Sequence, residues 1–330
     1  MIEIYNSQFE LLMMDPPFSR FMWRRRFTGS GEFKLETFFA PEKMELYKHG
    51  NVVYKRDVKE ACFVESVKVM QSIDGDMKLI VSGRSVASIL TRRIFTMQGN
   101  YTPSSFLQAV IERNFLTEAA ANRRVPSLRL LSVDVSADTL RVDFKQQNVF
   151  QHIEKVLLEH DAGLTMRYNV GNKSFDLRFV SAAETDVVFS REFANVTEQD
   201  YSNDATNHKN VVYVGTGFVM NDNLHGFERR EMAISLPGAS EGISNEQAAR
   251  NALNTNKVTK TLSNVIYAYS KQYEYLKDWN LGSVVLAQNT QIGYSERELV
   301  SEVTEFYDET GQNLEVNTGD YKQREVSAWT

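Results

Sequence analysis

The hydrophobic pattern along much of the chain has a period of two residues, which is typical of β-strands with one buried and one solvated face. The clearest example lies within Ala61–Phe95, where residues 63–70 alternate and residues 77–82 form a second alternating run. Between them stand Asp74 and Gly75, a pair that readily adopts the positive φ angles of a tight hairpin turn. The pattern therefore predicts a β-hairpin in this segment.

A short helix is predicted directly after this hairpin. Ser85 can cap it, and Val86, Ile89 and Leu90 would share one of its faces. Further alternating runs predict strands on both sides of this unit. We expect them over residues 2–5, 9–14, 21–27, 33–39, 51–55, 164–170, 174–180, 186–190, 211–214, 218–220, 231–236, 283–288, 298–307 and 313–318.

Three longer helices are predicted from apolar positions spaced three and four residues apart. The first begins after Thr102, a capping residue that is followed by proline, and runs to about Ala121. The second covers Val149–His160. The third covers residues 244–266, with an interruption near residues 254–256.

The predicted fold class is α+β and strand-dominated. Strands joined by hairpins fill residues 1–98, where the pattern is typical of a small β-barrel or sandwich, and return over residues 186–330. We expect a β-barrel domain in each of these segments. The segment 99–185 mixes helices and a hairpin and is predicted to be an α+β domain. A chain of 330 residues is longer than one hydrophobic core usually supports, which agrees with several domains.

Composition and charge exclude several classes of protein. A net charge of −6 argues against a dedicated nucleic-acid-binding surface, because phosphate contacts need clustered Lys and Arg. No apolar run approaches the roughly 20 residues of a membrane span, and we expect no signal peptide. Cys62 is the only cysteine and lies in a strand pattern, which favours a buried structural thiol over a nucleophile.

Two patterns resemble ligand sites but lack the full spacing of such sites. Gly83, Arg84 and Ser85 follow a strand, yet neither the phosphate-binding nor the dinucleotide-binding glycine motif surrounds them. His152 and His160 lie on roughly the same helix face, but no His-Glu-x-x-His motif or paired cysteines accompany them. A structural role is favoured for both patterns.

Two further segments are rich in polar or charged side chains. Residues 200–210 contain several Asp and Asn but lack the glycine and terminal glutamate of a calcium loop, which favours a polar surface loop. Arg24, Arg25 and Arg26 lie in a predicted strand, where two share one face and the third points to the other. This favours a ladder of salt bridges, within the chain or between subunits, over a polyanion site.

The sequence has 43 carboxylates, and a pair suited to glycoside hydrolysis cannot be recognised from spacing alone. A carboxylate-based hydrolase therefore stays open as one alternative. A carbohydrate-binding module is another, and it would expose a patch of aromatic side chains. We assign no catalytic, cofactor-binding or metal-binding residue, and we expect a protein without enzymatic activity and without cofactors.

Eight short motifs follow one another along nearly the whole chain. They are Trp23–Phe27, Gly31–Leu35, Val81–Arg84, Leu90–Ile94, His208–Gly215, Arg229–Glu231, Trp279–Val285 and Val303–Tyr307. In their order and spacing they resemble the tail-hub proteins of siphophages and prophages of Gram-positive hosts. That family is related in fold to the baseplate hub of contractile phages.

The resemblance implies a homotrimer with two tail-tube-like β-barrel domains per subunit, so that three subunits imitate a six-fold ring. It implies a structural role in the virion tail, where a hub joins the tail tube to the tail tip and bounds the channel for DNA and the tape-measure protein. The implied partners are distal tail or tail-tube proteins, the tape-measure protein, and tail fibre or spike proteins. During assembly the protein would reside in the host cytoplasm.

Two alternatives remain within this resemblance: a cell-wall hydrolase of the tail tip, and the hub of a contractile bacteriocin or injection system. Under the hub interpretation we expect a channel wall that is not basic, because Lys and Arg would hold phosphates and slow the passage of DNA. Arg24, Arg25 and Arg26 would then lie at subunit or intramolecular contacts, away from the lumen. We expect no specific nucleic-acid binding.

Overall fold

The computed structural model describes residues 2–71, 73, 75–135, 140–235, 245–267, 272–309 and 311–319. Their contacts divide the chain into two units. The first unit comprises the residues up to 199 and from 263 onward, and the second comprises residues 200–262. The boundaries of these units differ from those of the expected domains 1–98, 99–185 and 186–330, and these domains stay a prediction.

Strands make up most of the described chain. In the N-terminal half they are β1 (Ile2–Tyr5), β2 (Leu11–Met14), β3 (Arg20–Arg26), β4 (Glu32–Phe38), β5 (Val52–Lys55), β6 (Glu60–Phe63), β7 (Ser66–Gln71), β8 (Met77–Arg84), β9 (Ile94–Tyr101), β10 (Leu128–Val133), β11 (Leu140–Asn148) and β12 (Ala162–Asn169). In the C-terminal half they are β13 (Ser174–Ser181), β14 (Ala183–Ser190), β15 (Val196–Asp204), β16 (Val211–Val214), β17 (Phe218–Met220), β18 (Glu231–Ile234), β19 (Thr259–Tyr267), β20 (Ser283–Asn289), β21 (Tyr294–Asp308) and β22 (Gly311–Gly319).

Helices are fewer and mostly short. The α-helices of the described residues are α1 (Pro41–Leu46), α2 (Pro103–Phe115), α3 (Val149–Glu159) and α4 (Asn245–Thr255). Their 3₁₀ segments are Val86–Arg92, Ala121–Arg123, Arg191–Phe193, Gly226–Glu228 and Thr290–Ile292. The predicted strand-dominated α+β class is confirmed.

Two large sheets carry most of the strands. The seven-stranded central sheet has the order β10-β13-β12-β6-β5-β1-β2. The ten-stranded long sheet has the order β15-β19-β22-β21-β3-β4-β8-β7, and β20 joins it beside β21 and also pairs with β14. Each order is an open path, so no sheet of the described strands closes on itself. The two expected barrel domains are therefore not confirmed.

The middle of the central sheet, at β5 and β6, is buried on both faces, because neighbouring residues of these strands alternate between two hydrophobic cores. Val52 and Ala61 face the core that also contains the apolar sides of α2 and α3. Val53 and Cys62 face the second core, which contains Trp23 and other side chains of the long sheet. The first unit thus stacks helices, the central sheet and part of the long sheet in three layers.

The two helices of this stack form where the sequence predicts them. Thr102 and Ser105 make a capping box at the start of α2, but α2 ends at Phe115 and does not reach Ala121. The second predicted helix is confirmed as α3, and the Asn148 side chain caps it. The predicted hairpins β1-β2, β3-β4, β7-β8 and β12-β13 are confirmed as well.

Two helix predictions hold only in part: helices form at Val86–Arg92 and Asn245–Thr255, but without all of their predicted features. Val86–Arg92 is a 3₁₀ segment without a side-chain cap from Ser85, and its first five residues are all buried, so it has no solvated face in that stretch. Thr259–Tyr267 is strand β19 and does not continue α4, since its β-branched residues fit a strand and the long sheet offers pairing partners. The predicted turn residue Asp74 and cap Ser244 lie outside the described residues.

Other differences concern strands. β15 runs on to Asp204, so the loop predicted over residues 200–210 is strand in its first half. The strands β9, β10 and β11 and the short helix α1 were not predicted. In the second unit, β16 lies between β17 and β18, and Val212, Val214 and Ala249 form a small core with α4.

Candidate assembly surface and buried charge network

Two arginines of β3 point to the same face of the long sheet, where acidic residues of the neighbouring strands hold them. Arg24 Nη1 lies 2.6 Å from Glu32 Oε1 on β4, and Arg26 Nε lies 2.8 Å from Glu302 Oε2 on β21. Arg24 Nε also lies 3.6 Å from Glu302 Oε1, so this carboxylate pairs with both guanidinium groups. Cross-strand ion pairs thus tie β4, β3 and β21 together.

Arg25 points to the opposite face and is buried. Its Nε and Nη2 donate to the two carboxylate oxygens of Glu60 at 2.9 and 2.6 Å, and its Nη1 donates to Tyr275 Oη and Asn280 Oδ1 at 2.9 and 2.8 Å. Burial alone would lower the pKa of Arg25, but Glu60 and Tyr275 outweigh burial and raise it well above its ordinary value. The predicted salt-bridge ladder is confirmed, and it is intramolecular.

A second buried ion pair joins the same two sheets. Lys55 of β5 and Glu305 of β21 are both fully buried, with Nζ 2.8 Å from Oε2, and Lys55 also pairs with Asp57. Tyr307 Oη donates to Glu305 Oε2 at 2.5 Å, and Tyr275 Oη donates to Glu305 Oε1 at 3.4 Å. Since Tyr275 Oη also accepts from Arg25 Nη1, one connected polar network crosses the core.

This network leaves no free pair of acids for hydrolysis among its members. Glu32 and Glu302 are paired with the guanidinium groups of Arg24 and Arg26. Asp57 and Glu305 are both paired with the ammonium group of Lys55. A glycosidic bond and a water molecule would need the space between two acids that these cations occupy. In the part of the chain that the structure describes, no group of three or more His, Cys, Asp or Glu could hold a metal ion.

The surroundings of Cys62 and of the segment Gly83–Ser85 are those of structural residues. Cys62 is buried, and burial, with help from nearby carboxylates such as Glu60, raises the pKa of its thiol well above its ordinary value, so it carries no thiolate at neutral pH. At Gly83 a methyl group would lie 1.8 Å from the carbonyl oxygen of Phe63, so the glycine permits a close strand contact. Arg84 Nε donates to Glu65 Oε2 at 2.8 Å.

The two helical histidines are not brought together as ligands. His152 stacks on Phe144 with 3.8 Å between the ring centres, and burial followed by Lys155 lowers its pKa. His160 is the residue that ends α3.

A Gly-x-Ser-x-Gly sequence, the pattern of hydrolase nucleophile turns, is present at residues 238–242. These residues lie outside the described part of the chain.

Exposed hydrophobic side chains are concentrated in one part of the first unit. Of the eighteen large hydrophobic side chains that are exposed in the described chain, eleven lie between residues 11 and 77. We call these eleven the apolar belt: Leu11, Leu12, Met13, Met14, Phe18, Phe38, Met44, Val69, Met70, Ile73 and Met77. Since contiguous exposed apolar surface is typical of interaction sites, the belt is a candidate for such a site.

Hydrogen bonds link segments of the belt. Thr37 Oγ1 donates to the carbonyl of Pro17 at 2.9 Å, which brings the start of β3 beside the end of β4. Phe39 N donates to the carbonyl of Met77 at 3.0 Å, which places the β7-β8 hairpin beside the same strand end. No sequence pattern pointed directly to the belt, because an alternating or apolar run looks the same whether another layer covers it or not.

Strand β2 is the most exposed element of the belt. All four of its residues, Leu11–Met14, are exposed by 41 to 53%, although they are all hydrophobic. In the central sheet β2 is an edge strand, paired on one side with β1. An open groove of about 730 Å³ lies beside it, lined by Leu12, Met13, Pro17, Leu46 and others of β2 and α1. An apolar edge strand beside a groove is a ready template for another chain.

The fold is shared with phage tail proteins of known structure. The 43 kDa tail protein of prophage MuSo2 from Shewanella oneidensis has a TM-score of 0.66 at 13% identity, with 97% of each chain covered. The prophage tail protein gp18 of Listeria monocytogenes EGD-e has a TM-score of 0.59 at 12% identity, with 99% of this chain and 96% of that chain covered. These likenesses show that the chain has a phage tail protein fold.

A further structure with this fold is the E. coli c3393 protein, described as a component of the type VI secretion system with structural similarity to the T4 tail proteins gp27 and gp5. Its TM-score is 0.52 at 12% identity, with 98% of this chain and 77% of that chain covered. Residues 1–320 match the family model described as Siphovirus ReqiPepy6 Gp37-like protein, and the chain belongs to this family. No curated protein matches it.

The resemblance to phage tail proteins that the eight motifs predict is confirmed. None of the helices in the described residues has the length and apolar character needed to cross a membrane.

Proposed function

We propose that this protein is a structural hub of a phage tail, which joins the tail tube to the tail tip and bounds the channel for DNA and the tape-measure protein. The observation that carries the proposal is the apolar belt, which includes residues of the edge strands β2 and β7, on a scaffold whose two sheets are tied by buried ion pairs. Such a scaffold is rigid and presents surface that water disfavours, as a component of a permanent assembly does. The tail protein fold and family supply the context.

In the proposed assembly three copies form a ring, and each copy contributes two tube-like β-structures. The open orders of the central and long sheets support this proposal, since sheet edges that lack partners in one chain can be covered by neighbours. The remaining partners would be distal tail or tail-tube proteins, the tape-measure protein, and fibre or spike proteins. The protein would reside in the virion tail, and in the host cytoplasm during assembly.

We propose no enzymatic role and no specific binding of nucleic acid. In the described chain, Arg24, Arg25 and Arg26 are all engaged in intramolecular ion pairs, so this basic run offers no free cluster for phosphates. The acid pairs of the buried network are likewise held by cations. The hub of a contractile injection system is a second candidate, which the shared fold with the c3393 protein favours.

The proposal is tested on the full chain and on phage particles. We expect sedimentation analysis to give the mass of a trimer, and electron microscopy to show rings with a central channel. Antibody labelling of intact virions should mark the tail tip. Labelling of another virion part, or normal tails after deletion of the gene, would contradict the hub role. Clearing of a cell-wall zymogram, abolished by substitution of one carboxylate, would support the hydrolase alternative instead.

A further inference from the structure

Two arginines near the end of α2 are bonded to each other's segments of the chain. Arg93 directly precedes β9, and its Nη2 donates to the carbonyl of Arg123 at 3.3 Å. In return, Arg123 Nη2 donates to the carbonyl of Ile94 and to Asn114 Oδ1, both at 2.8 Å. Asn114 belongs to α2 and is buried. The two guanidinium groups are therefore held beside the start of β9 and the last turn of α2.

A third arginine extends this pair, and we call Arg93, Arg123 and Arg124 the arginine cluster. Arg124 is exposed and donates from Nε to the carbonyl of Ala119 at 2.8 Å. All the acceptors that hold the cluster are carbonyl or amide oxygens, which are neutral. Arg93 Nε is buried and has no hydrogen-bond partner in the described chain. Neutral acceptors fix the three guanidinium groups but leave their charges uncompensated.

The acids of the neighbouring segments do not neutralise the cluster. Glu65 and Glu118 are each paired with an arginine outside the cluster, at 2.8 and 3.5 Å. Glu112 of α2 stands two residues before Asn114, so their side chains point about 200° apart around the helix. None of the three arginines forms an ion pair with a carboxylate of the described residues. The charge that remains on this area is therefore positive.

An exposed apolar side chain lies beside these charges. Ile94 is 56% exposed, follows Arg93 in the chain, and accepts from Arg123 with its own carbonyl. The phosphates of a nucleic acid would leave this side chain without an apolar partner, whereas a protein segment can cover it. A nucleic acid would also be repelled by a chain whose net charge is −6. Both observations favour a protein segment as the source of the anions.

We propose that the arginine cluster binds an acidic segment of a partner protein, in which carboxylates flank an apolar side chain. Arg123 Nη1 and both Nη atoms of Arg124 make no hydrogen bond in the described chain and can donate to the carboxylates. The apolar side chain would cover Ile94. Since the guanidinium groups are already held in place, binding has to order few side chains. The inference goes beyond the hub role and does not depend on it.

Peptide binding to the full chain tests the inference. The probe is a fluorescein-labelled peptide with one leucine between two pairs of glutamates, and the control probe has lysines in place of the glutamates. Fluorescence anisotropy at low ionic strength should show binding of the acidic peptide and none of the basic one. Added salt should raise the Kd, because it screens exposed charges. Equal binding of both peptides, or binding of neither, would overturn the inference.

Substitutions separate the contributions of charge and apolar contact. Arg124→Gln should raise the Kd of the acidic peptide by about tenfold, since one charged hydrogen bond is lost, and Arg124→Lys should raise it less. Arg124 is exposed and makes one hydrogen bond, so these variants should fold. Ile94→Ser should raise the Kd by about fivefold. Arg191→Gln, at an exposed arginine of the segment Arg191–Phe193, is the matched control and should leave the Kd unchanged. An equal loss of affinity in Arg124→Gln and in the control would overturn the inference.

Hydrogen exchange of the unchanged protein locates the peptide without any substitution. The acidic peptide should slow amide exchange at residues 92–96 and 119–125 and leave residues 191–193 as they are. Slower exchange that is confined to other parts of the chain would overturn the inference, even if the peptide binds.

Two further probes identify the kind of anion. A short DNA duplex that binds more tightly than the acidic peptide, and that loses affinity in Arg124→Gln, would show a nucleic-acid site and overturn the inference. Inorganic phosphate that binds as tightly as the peptide would show a site for small anions only, which also overturns it. None of these results bears on the hub role, which the oligomeric mass and the virion labelling decide separately.

Discussion

Arg25 and Glu60 join the two packed sheets through parallel hydrogen bonds of 2.9 and 2.6 Å from one guanidinium group to one carboxylate. Arg25 belongs to the long sheet and Glu60 to the central sheet, so the pair fixes how the layers face each other. A bidentate pair of this kind is directional, unlike hydrophobic contact. It selects one relative position of two sheets that could otherwise slide.

Replacement of Arg25 by Met should be strongly destabilising. It leaves Glu60 without its cation in a largely dry site, and loss of one partner from a buried pair costs about 3–5 kcal/mol. Denaturant unfolding would measure the loss. Arg113→Met removes an exposed arginine and should change the free energy of unfolding by less than about 0.5 kcal/mol. Equal effects of both substitutions would refute the role of the pair.

Lys55 and Glu305 should be coupled energetically. Lys55→Met alone leaves the buried carboxylate of Glu305 uncompensated and should cost about 3 kcal/mol or more. Adding Glu305→Gln removes the stranded charge and keeps an oxygen that accepts from Tyr307, so the double variant should be more stable than Lys55→Met. A double-mutant cycle in urea measures this coupling. Additive losses would show that the two residues act independently.

Gly83 should not tolerate a side chain. Gly83→Ala would place a methyl group 1.8 Å from the Phe63 carbonyl oxygen, so the β6 and β8 backbones must separate, at a cost of about 2 kcal/mol or more. Gly217→Ala is the control, because a methyl group there meets no described atom within 4 Å. Thermal unfolding of both variants would test the prediction. A Gly83→Ala variant as stable as the control would contradict the close contact.

Glu154 of α3 should make stability depend on pH. Burial raises its pKa from 4.5 to about 7, although Arg26 opposes the shift. Below pH 4.5 the raised pKa does not lower the free energy of unfolding. This free energy falls as the pH rises from 4.5 to about 7. Glu154→Gln should therefore stabilise the protein at pH 8 and have little effect at pH 4.

For this variant we expect a gain of about 1 kcal/mol at pH 8, after allowance for the partial exposure of the side chain. Glu159→Gln, at an exposed site on the same helix, is the matched control substitution. Unfolding curves at both pH values would measure the difference. A gain of equal size at pH 4 would rule out ionisation as the cause.

Local pattern predicted the elements whose partners are near in sequence. The hairpins β3-β4 and β12-β13 and the helix α3 follow from alternation, turn residues and apolar spacing, which act over a few residues. The opposed directions of Arg24 and Arg25 follow likewise, because side chains alternate along a strand. The sequence alone could not identify Glu302 as the partner of Arg26, since these residues are 276 positions apart in the chain.

Only the tertiary structure decided which strands meet across the chain and which apolar residues stay uncovered. β3 pairs with β21, and Thr259–Tyr267 becomes a strand because neighbours in the long sheet satisfy its backbone. The four hydrophobic residues of β2 would suit a buried strand, yet their position at an open edge leaves them exposed. Burial depends on the layer that lies above a residue, and the residue's own sequence neighbourhood does not contain that layer.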